Sequence, residues 1–465
     1  MPSPLDLTVA QLGTAMREAA LSPVALTEAV LERAEKLQRA LNPFALIDAA
    51  GARYQAEASA SRHRAGAPLS LLDGVPVAIK DNVKQKGFAC RHGSLMFRDA
   101  KPETEDAPLV ARLREAGAIL WARTTMPDIG WKALCDSPLY GLTGNPFDPQ
   151  LTPGGSSGGA AVSVAANCGP LASGGDAGGS VRVPAAWCGL FGIKTTHGRL
   201  PWLHDSSTAT LVAHGPLAKS VLCSAIYLGI VCRDDTRDAL TQALKVPDFV
   251  GACGAGVSGM RIALSRRLNF ADAGRDAACL DEAAKVLRDA GATLIEAEPP
   301  LWNAEGAFAT MWSAAHAAGM ADLATDDLAR ADPGLLACAR RGWRTDSSTD
   351  RLAQAEANRL MRALMAFMAE YDLMLCPMMP IAPFRSAHGF DTPDAAAYPN
   401  WWDWTPFTWP FNLTRSPAAS VPWGVACDGL PRAVQLVAPH FREDSIYRAA
   451  AVLERAMPRP VPKGW

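Results

Sequence analysis

Three serine hydroxyls sit among glycines near the middle of the chain. Ser156 and Ser157 stand within residues 154–159, and Ser180 closes residues 174–180, which run Gly-Gly-Asp-Ala-Gly-Gly-Ser. Glycine offers little to a core, but it lets backbone N–H groups approach a ligand closely. A serine beside such donors is suited to attack a carbonyl carbon while the N–H groups hold the oxyanion that forms. Apolar residues follow each stretch at once: Ala160, Ala161, Val162 and Val164 after the first, Val181, Val183, Ala185 and Ala186 after the second. The glycines are therefore anchored at both ends rather than linker-like. A fourth group joins them upstream, where the short apolar run 75–79 ends in Lys80. A strand-like run that finishes in a cation delivers an ammonium to the interior, and serine with lysine is an alternative to serine with histidine for activating a nucleophile. Plainer readings exist for both features, as turns and as a lysine snorkelling at a strand end. Residue types alone leave the two sets of readings standing.

Other chemistries fit less well. A P-loop needs glycine directly before lysine, and the run 189–195 has Ile193 there. The dinucleotide fingerprint fails on spacing and on its acidic residue. His92, His197 and His214 join no Ser-His-Asp order, and no His/Cys/Asp cluster has metal-ligand spacing.

In order and spacing, Lys80, the 154–159 stretch and the 174–182 segment resemble the amidase signature family. Asn145-Pro146, Pro184, Cys188-Gly189, Gly192-Ile193-Lys194, Pro410-Phe411-Asn412 and Pro417-Ala418 match it as well. The resemblance covers most of the chain. It implies an α/β fold with a single large mixed, twisted sheet covered by helices on both faces. Residues 1–465 would form one domain: a helical layer over 1–70, a catalytic core over 71–220, and the remainder over 221–465. It further implies a hydrolase of carboxylic amides that works through a seryl acyl-enzyme without cofactor or metal. Ser180 is then the nucleophile. The N–H groups of Ala177, Gly178, Gly179 and Ser180 form the oxyanion hole. Ser156, after a cis peptide bond, relays the proton to Lys80, which must be neutral to act as base. Ser157, Asp176 and Arg182 support these groups from behind. Gly130 and Trp131 are expected on the acyl-binding side. The chain departs from the family at Thr195, at Thr414-Arg415-Ser416, and at Ala433 and Ala438. None of these is in the triad, so the resemblance carries the reaction further than the substrate.

The elements that must position this machinery are partly legible. Ser22-Pro23 caps a helix whose apolar residues recur at Leu26, Val30, Ala34, Leu37 and Leu41, and Asn42-Pro43 stops it. A short strand over 44–47, an alanine-rich helix to about residue 64, a helix over 107–116 and a strand over 119–123 follow. Beyond the glycine stretches the pattern predicts a helix over 218–231, a strand–helix–strand unit over 260–264, 277–290 and 293–296, and long helices over 304–323 and 350–371. A closing strand over 433–437 and a helix over 444–456 end the chain. This alternation implies a layered sheet. Residues 398–410 carry Trp401, Trp402, Trp404, Phe407 and Trp409 among three prolines, so they read as an apolar-lined loop. Trp401 and Trp404 are expected in the substrate pocket, and the alternative is a loop glued to the core by its rings. The expected substrate carries an aryl or bulky apolar group. A carbamate or ester substrate, or membership of a tRNA-dependent amidotransferase as its amidase component, are the alternatives.

Composition narrows the partners. Hydrophobic residues make up 49% and charged residues 20%, ordinary for a globular chain, and the formal net charge of −2 offers no basic field to nucleic acid. No apolar run approaches a membrane span. Eleven cysteines, an odd count without a CxxC pair, read as reduced thiols of a cytoplasmic protein. The expected partner is a small-molecule amide or carbamate, with a homodimer left open.

Overall fold

A computed structural model describes residues 3–203, 206–238, 245–302, 304–385 and 400–465. Helix Pro23–Leu41 forms as its sequence demands. The Ser22 hydroxyl accepts the Val24 N–H at 3.2 Å, proline takes the first helical position, and Asn42 ends the helix in the left-handed region at φ 52°.

Eleven strands make one mixed sheet among the described residues. Across it run Phe44–Ile47, Ile119–Thr124, Pro76–Lys80, Leu171–Asp176, Ala213–Ala218, Phe191–Lys194, Ala418–Val425, Pro431–Val437, Leu373–Pro377, Arg261–Leu264 and Thr293–Glu296. Pro76–Lys80 lies parallel to both Ile119–Thr124 and Leu171–Asp176. Two parallel strands therefore end side by side, one at Lys80 and the other at Asp176. Ligands in α/β sheets gather outside such carboxyl ends. The strand–helix–strand unit is present as Arg261–Leu264, helix Ala277–Asp289 and Thr293–Glu296, with the strands parallel.

Several elements differ from the sequence pattern. The glycine stretch 174–180 is not all loop, because Gly174, Gly175 and Asp176 complete the buried strand Leu171–Asp176, paired to Ala213–Ala218. A Cβ on Gly174 would stand 2.7 Å from Val181 Cγ2, so the strand passes where only glycine leaves room. The helix expected from 218 begins later: Ala213–Ala218 is a strand, and helix Val221–Val231 starts where the Ser220 hydroxyl accepts the Cys223 N–H. Helix Pro333–Gly342 and the strands Phe191–Lys194, Leu373–Pro377 and Ala418–Val425 had no distinct periodic signal. The long helices are Ala304–Gly319 and Ser347–Met368. The aromatic stretch is turns over 400–409 leading into the short helix Pro410–Leu413, while Tyr398 and Pro399 lie outside the described residues. No helix of the described residues is long and apolar enough to cross a membrane.

Candidate active site

Lys80 reaches the site because its strand ends there. The side chain is 1% exposed, and its Nζ donates to Ser156 Oγ at 2.7 Å and lies 3.4 Å from the Gly175 carbonyl oxygen. Burial strips the ammonium of water and lowers the Lys80 pKa from 10.5 to about 7, against the opposing pull of Cys135 and Asp176. A substantial fraction of neutral amine is thus present near neutral pH.

Ser156 stands just before helix Gly158–Ala165, on the far side of a cis Gly155–Ser156 peptide. Gly155 is required by close approach, since a Cβ there would collide with the Leu134 carbonyl oxygen. Ser157 ties the two serine stretches together: its N–H donates to the Ser180 carbonyl at 3.1 Å, and its hydroxyl lies 3.4 Å from the Gly175 carbonyl oxygen. Ser180 is 7% exposed, and it lines the same cavity as Lys80 and Ser156.

Asp176 and Arg182 hold the Ser180 turn in shape. The Asp176 carboxylate accepts the N–H groups of Gly179 at 2.8 Å and Val181 at 3.1 Å. Arg182 uses all five of its N–H donors: to both Asp176 oxygens, Asn412 Oδ1, Gln435 Oε1 and the Thr408 carbonyl. Burial pushes the Asp176 carboxyl up, but the Arg182 charge and its hydrogen bonds outweigh this and hold it well below the usual carboxylate range. The oxyanion expectation needs one correction. The Gly179 N–H is committed to Asp176, so the donors left to face a reacting oxygen are those of Ala177, Gly178 and Ser180.

The cavity holds about 310 Å³. Gly130 is on its wall, where a Cβ would stand 3.2 Å from Ser156 Oγ. The tryptophans are distributed otherwise than expected. Trp131, Trp401 and Trp404 lie outside the lining. Trp131 is 3% exposed and packs over Gly334. Trp404 is fully buried, stacked on Trp187 with ring centroids 5.5 Å apart. Trp401 sits behind the oxyanion turn, where a Cβ on Gly178 would meet its ring at 2.5 Å. The rings that do line the cavity are Phe97, Trp202 and Trp312, together with His92, His214 and His316. Their types resemble those of the core tryptophans, and nothing local in the sequence separates the two groups.

The aromatic loop acts as a buttress. The Thr408 hydroxyl donates to the Gly178 carbonyl at 2.6 Å, and Gln435 Nε2 donates to the Phe407 carbonyl at 2.6 Å. Asn412 donates to the Asp176 carbonyl at 2.8 Å. Thr408 and Gln435 escaped sequence reasoning, since a lone Thr or Gln far along the chain carries no positional signal. Gly179, at φ 132°, is pressed against this buttress: a Cβ would stand 2.5 Å from Thr408 Oγ1. Gly179→Ala is expected to strain the turn by about 1–3 kcal/mol, to lower the urea midpoint and to reduce kcat more than it raises KM. An alanine variant with unchanged midpoint and kcat would show that the turn tolerates the side chain.

Among the described residues no group of three or more His, Cys, Asp or Glu is placed to hold a metal ion.

With this geometry in view, comparison with known proteins is direct. The family model described as Amidase matches residues 25–446. An acylamidase of Rhodococcus erythropolis is 31% identical over 462 residues, covering 97% of this chain and 96% of the relative. The A-type subunit of the glutamyl-tRNA(Gln) amidotransferase of Geobacter sp. (strain M21) is 31% identical, covering 97% of each chain. The solved structure of a bacterial aryl acylamidase of the amidase signature enzymes superposes with a TM-score of 0.91 at 25% identity, over 98% of this chain and 97% of that one. This chain belongs to the amidase signature family and is an amide-cleaving hydrolase.

Proposed function

We propose that the chain hydrolyses carboxylic amides bearing an aryl or other bulky apolar group, through an acyl-enzyme on Ser180. The observation that carries this reading is the 2.7 Å hydrogen bond from Lys80 to Ser156 in a buried wall that also presents Ser180. Ser180 Oγ attacks the carbonyl carbon, and its proton passes through Ser156 to the neutral Lys80 amine. The oxyanion forms against the N–H groups of Ala177, Gly178 and Ser180. Collapse breaks the C–N bond as the proton returns through Ser156 to the leaving nitrogen. Water, activated by the same relay, then cleaves the acyl ester. Phe97, Trp202 and Trp312 favour a flat or bulky arm, whose rings they contact by offset stacking worth about 0.5–1.5 kcal/mol beyond burial.

A sulfonyl fluoride or organophosphate is expected to label the wild type at Ser180 and to leave Ser180→Ala unlabelled, as read by peptide mass spectrometry. Label on another residue in both proteins would remove Ser180 as nucleophile. A panel of acetamide, benzamide, acetanilide and an aryl carbamate then sets the substrate class, with the aryl amides expected to give the highest kcat/KM. A best turnover of the carbamate would move the reading to carbamate hydrolysis. The Geobacter relative favours a second reading, a component of an amidotransferase complex. Copurification with two partner proteins would support it, whereas an active isolated chain supports the stand-alone amidase.

A further inference from the structure

We propose that His316 selects, among extended amides, those whose arm ends in a hydrogen-bond donor, a hydroxyl or an amide N–H. This rests on the acyl-transfer reading above for the position of the scissile carbonyl.

Helix Ala304–Gly319 runs from the oxyanion turn along the cavity. Phe308 marks its near end, with Cζ 3.1 Å from where a Cβ on Gly178 would stand. Phe308 stacks on Trp312 at 5.5 Å between centroids, and Trp312 meets His316 at 4.5 Å. These three positions recur every four residues, so they share one helix face. His316 therefore lies about 12 Å along the axis from Phe308. Trp312, His316 and Gly319 all line the cavity.

The ring of His316 has a defined tautomer. Its Nδ1 is 2.8 Å from the Trp312 carbonyl oxygen, and a carbonyl only accepts. Nδ1 must therefore carry the proton. Burial, which disfavours the imidazolium, pushes the His316 pKa down to about 4, so the ring is neutral at ordinary pH. A neutral ring protonated at Nδ1 presents Nε2 as a bare acceptor. His316 is 2% exposed, and the single hydrogen bond of its ring among the described residues is the one from Nδ1. Nε2 is thus the polar atom that His316 offers to the cavity. Trp312 Nε1 beside it is buried and without a partner among the described residues. An arm that brings a donor satisfies Nε2. A methyl-terminated arm of the same length displaces water and leaves the acceptor unpaired.

The test uses p-nitroanilides of ω-hydroxy acids of increasing length, each paired with its methyl-terminated homologue, and the converse series with the arm on the amine. In the wild type the hydroxyl partner is expected to win in kcat/KM by about ten- to hundredfold at one arm length. His316→Phe is expected to bring that ratio close to one, and His316→Gln, which keeps an acceptor oxygen, to retain part of it. His316→Leu replaces the Phe variant should the latter fail to fold. The same arms, carried on aryl ketones, are titrated calorimetrically into Ser180→Ala, where preference is read as binding without turnover. Equal ratios in wild type and His316→Phe, or no preference at any length, overturn the proposal. Turnover without preference defeats the His316 assignment alone, and preference in binding without turnover defeats the acyl-transfer reading alone.

Discussion

Lys80→Met is expected to lower kcat for an aryl amide by about a hundredfold to ten-thousandfold, the range over which a positioned acid–base group accelerates a reaction. In the proposed mechanism the active form of Lys80 is the amine. With a pKa near 7, wild-type kcat/KM should rise with pH through about 7 and fall below it, whereas an ordinary lysine would place that limb near 10.5. The variant should lose the limb. Ser156→Ala is expected to add little further loss in the Lys80→Met background, because relay and base act as a unit. Stability gives a second readout with a defined sign. The folded-state pKa is lowered, so between about pH 7 and 10.5 the unfolded chain still holds a proton that the folded chain has released. Wild-type stability should therefore gain from this group as pH rises through that window, and Lys80→Met should remove that gain. Urea titrations at several pH values, alongside pH–rate profiles, measure both. A wild-type limb near pH 10 would show that burial does not lower the Lys80 pKa, and near-normal kcat in Lys80→Met would exclude Lys80 as base.

Arg182→Met is expected to have the largest effect on stability, about 3–5 kcal/mol, because it strands the Asp176 carboxylate in a fully buried site without its guanidinium partner. Both side chains are fully buried. That loss is a large part of the 5–15 kcal/mol by which a fold is ordinarily stable, so low expression or a much reduced urea midpoint is the expected observation. Arg182→Lys should not rescue it, since an ammonium cannot reach five acceptors lying in different directions. Asp176→Asn with Arg182→Met should be less damaging than the two single losses added together, because the pair is removed with no charge left behind. The double variant should nonetheless remain poorly active, as the Gly179 and Val181 N–H groups lose the carboxylate that sets the Ser180 turn. Additive losses would show that the pair is not coupled.

Much of the proposed machinery was legible without coordinates, and for a physical reason. Lys80, Ser156, Ser157, Asp176, Ser180 and Arg182 lie in short motifs where glycine is demanded by crowding, as at Gly155 against Leu134 and Gly179 against Thr408. Local sequence records such demands. Helix ends were equally readable where caps are local, as at Ser22-Pro23 and Asn42. The strand Leu171–Asp176 was not, since a glycine-rich strand buried on both faces shows no alternation of apolar and polar residues. Its neighbours Pro76–Lys80 and Ala213–Ala218 define it. The cavity wall was the least legible part. Trp131, Trp401 and Trp404 differ from Trp202 and Trp312 in no local property, and Trp312 shares their buried cluster, yet only the last two also line the cavity. That division depends on which face of helix Ala304–Gly319 meets the oxyanion turn and where the 400–409 turns dock against it. Both are settled by packing between segments more than eighty residues apart, so the sequence determined which groups are proposed to react and tertiary structure alone decided what they face.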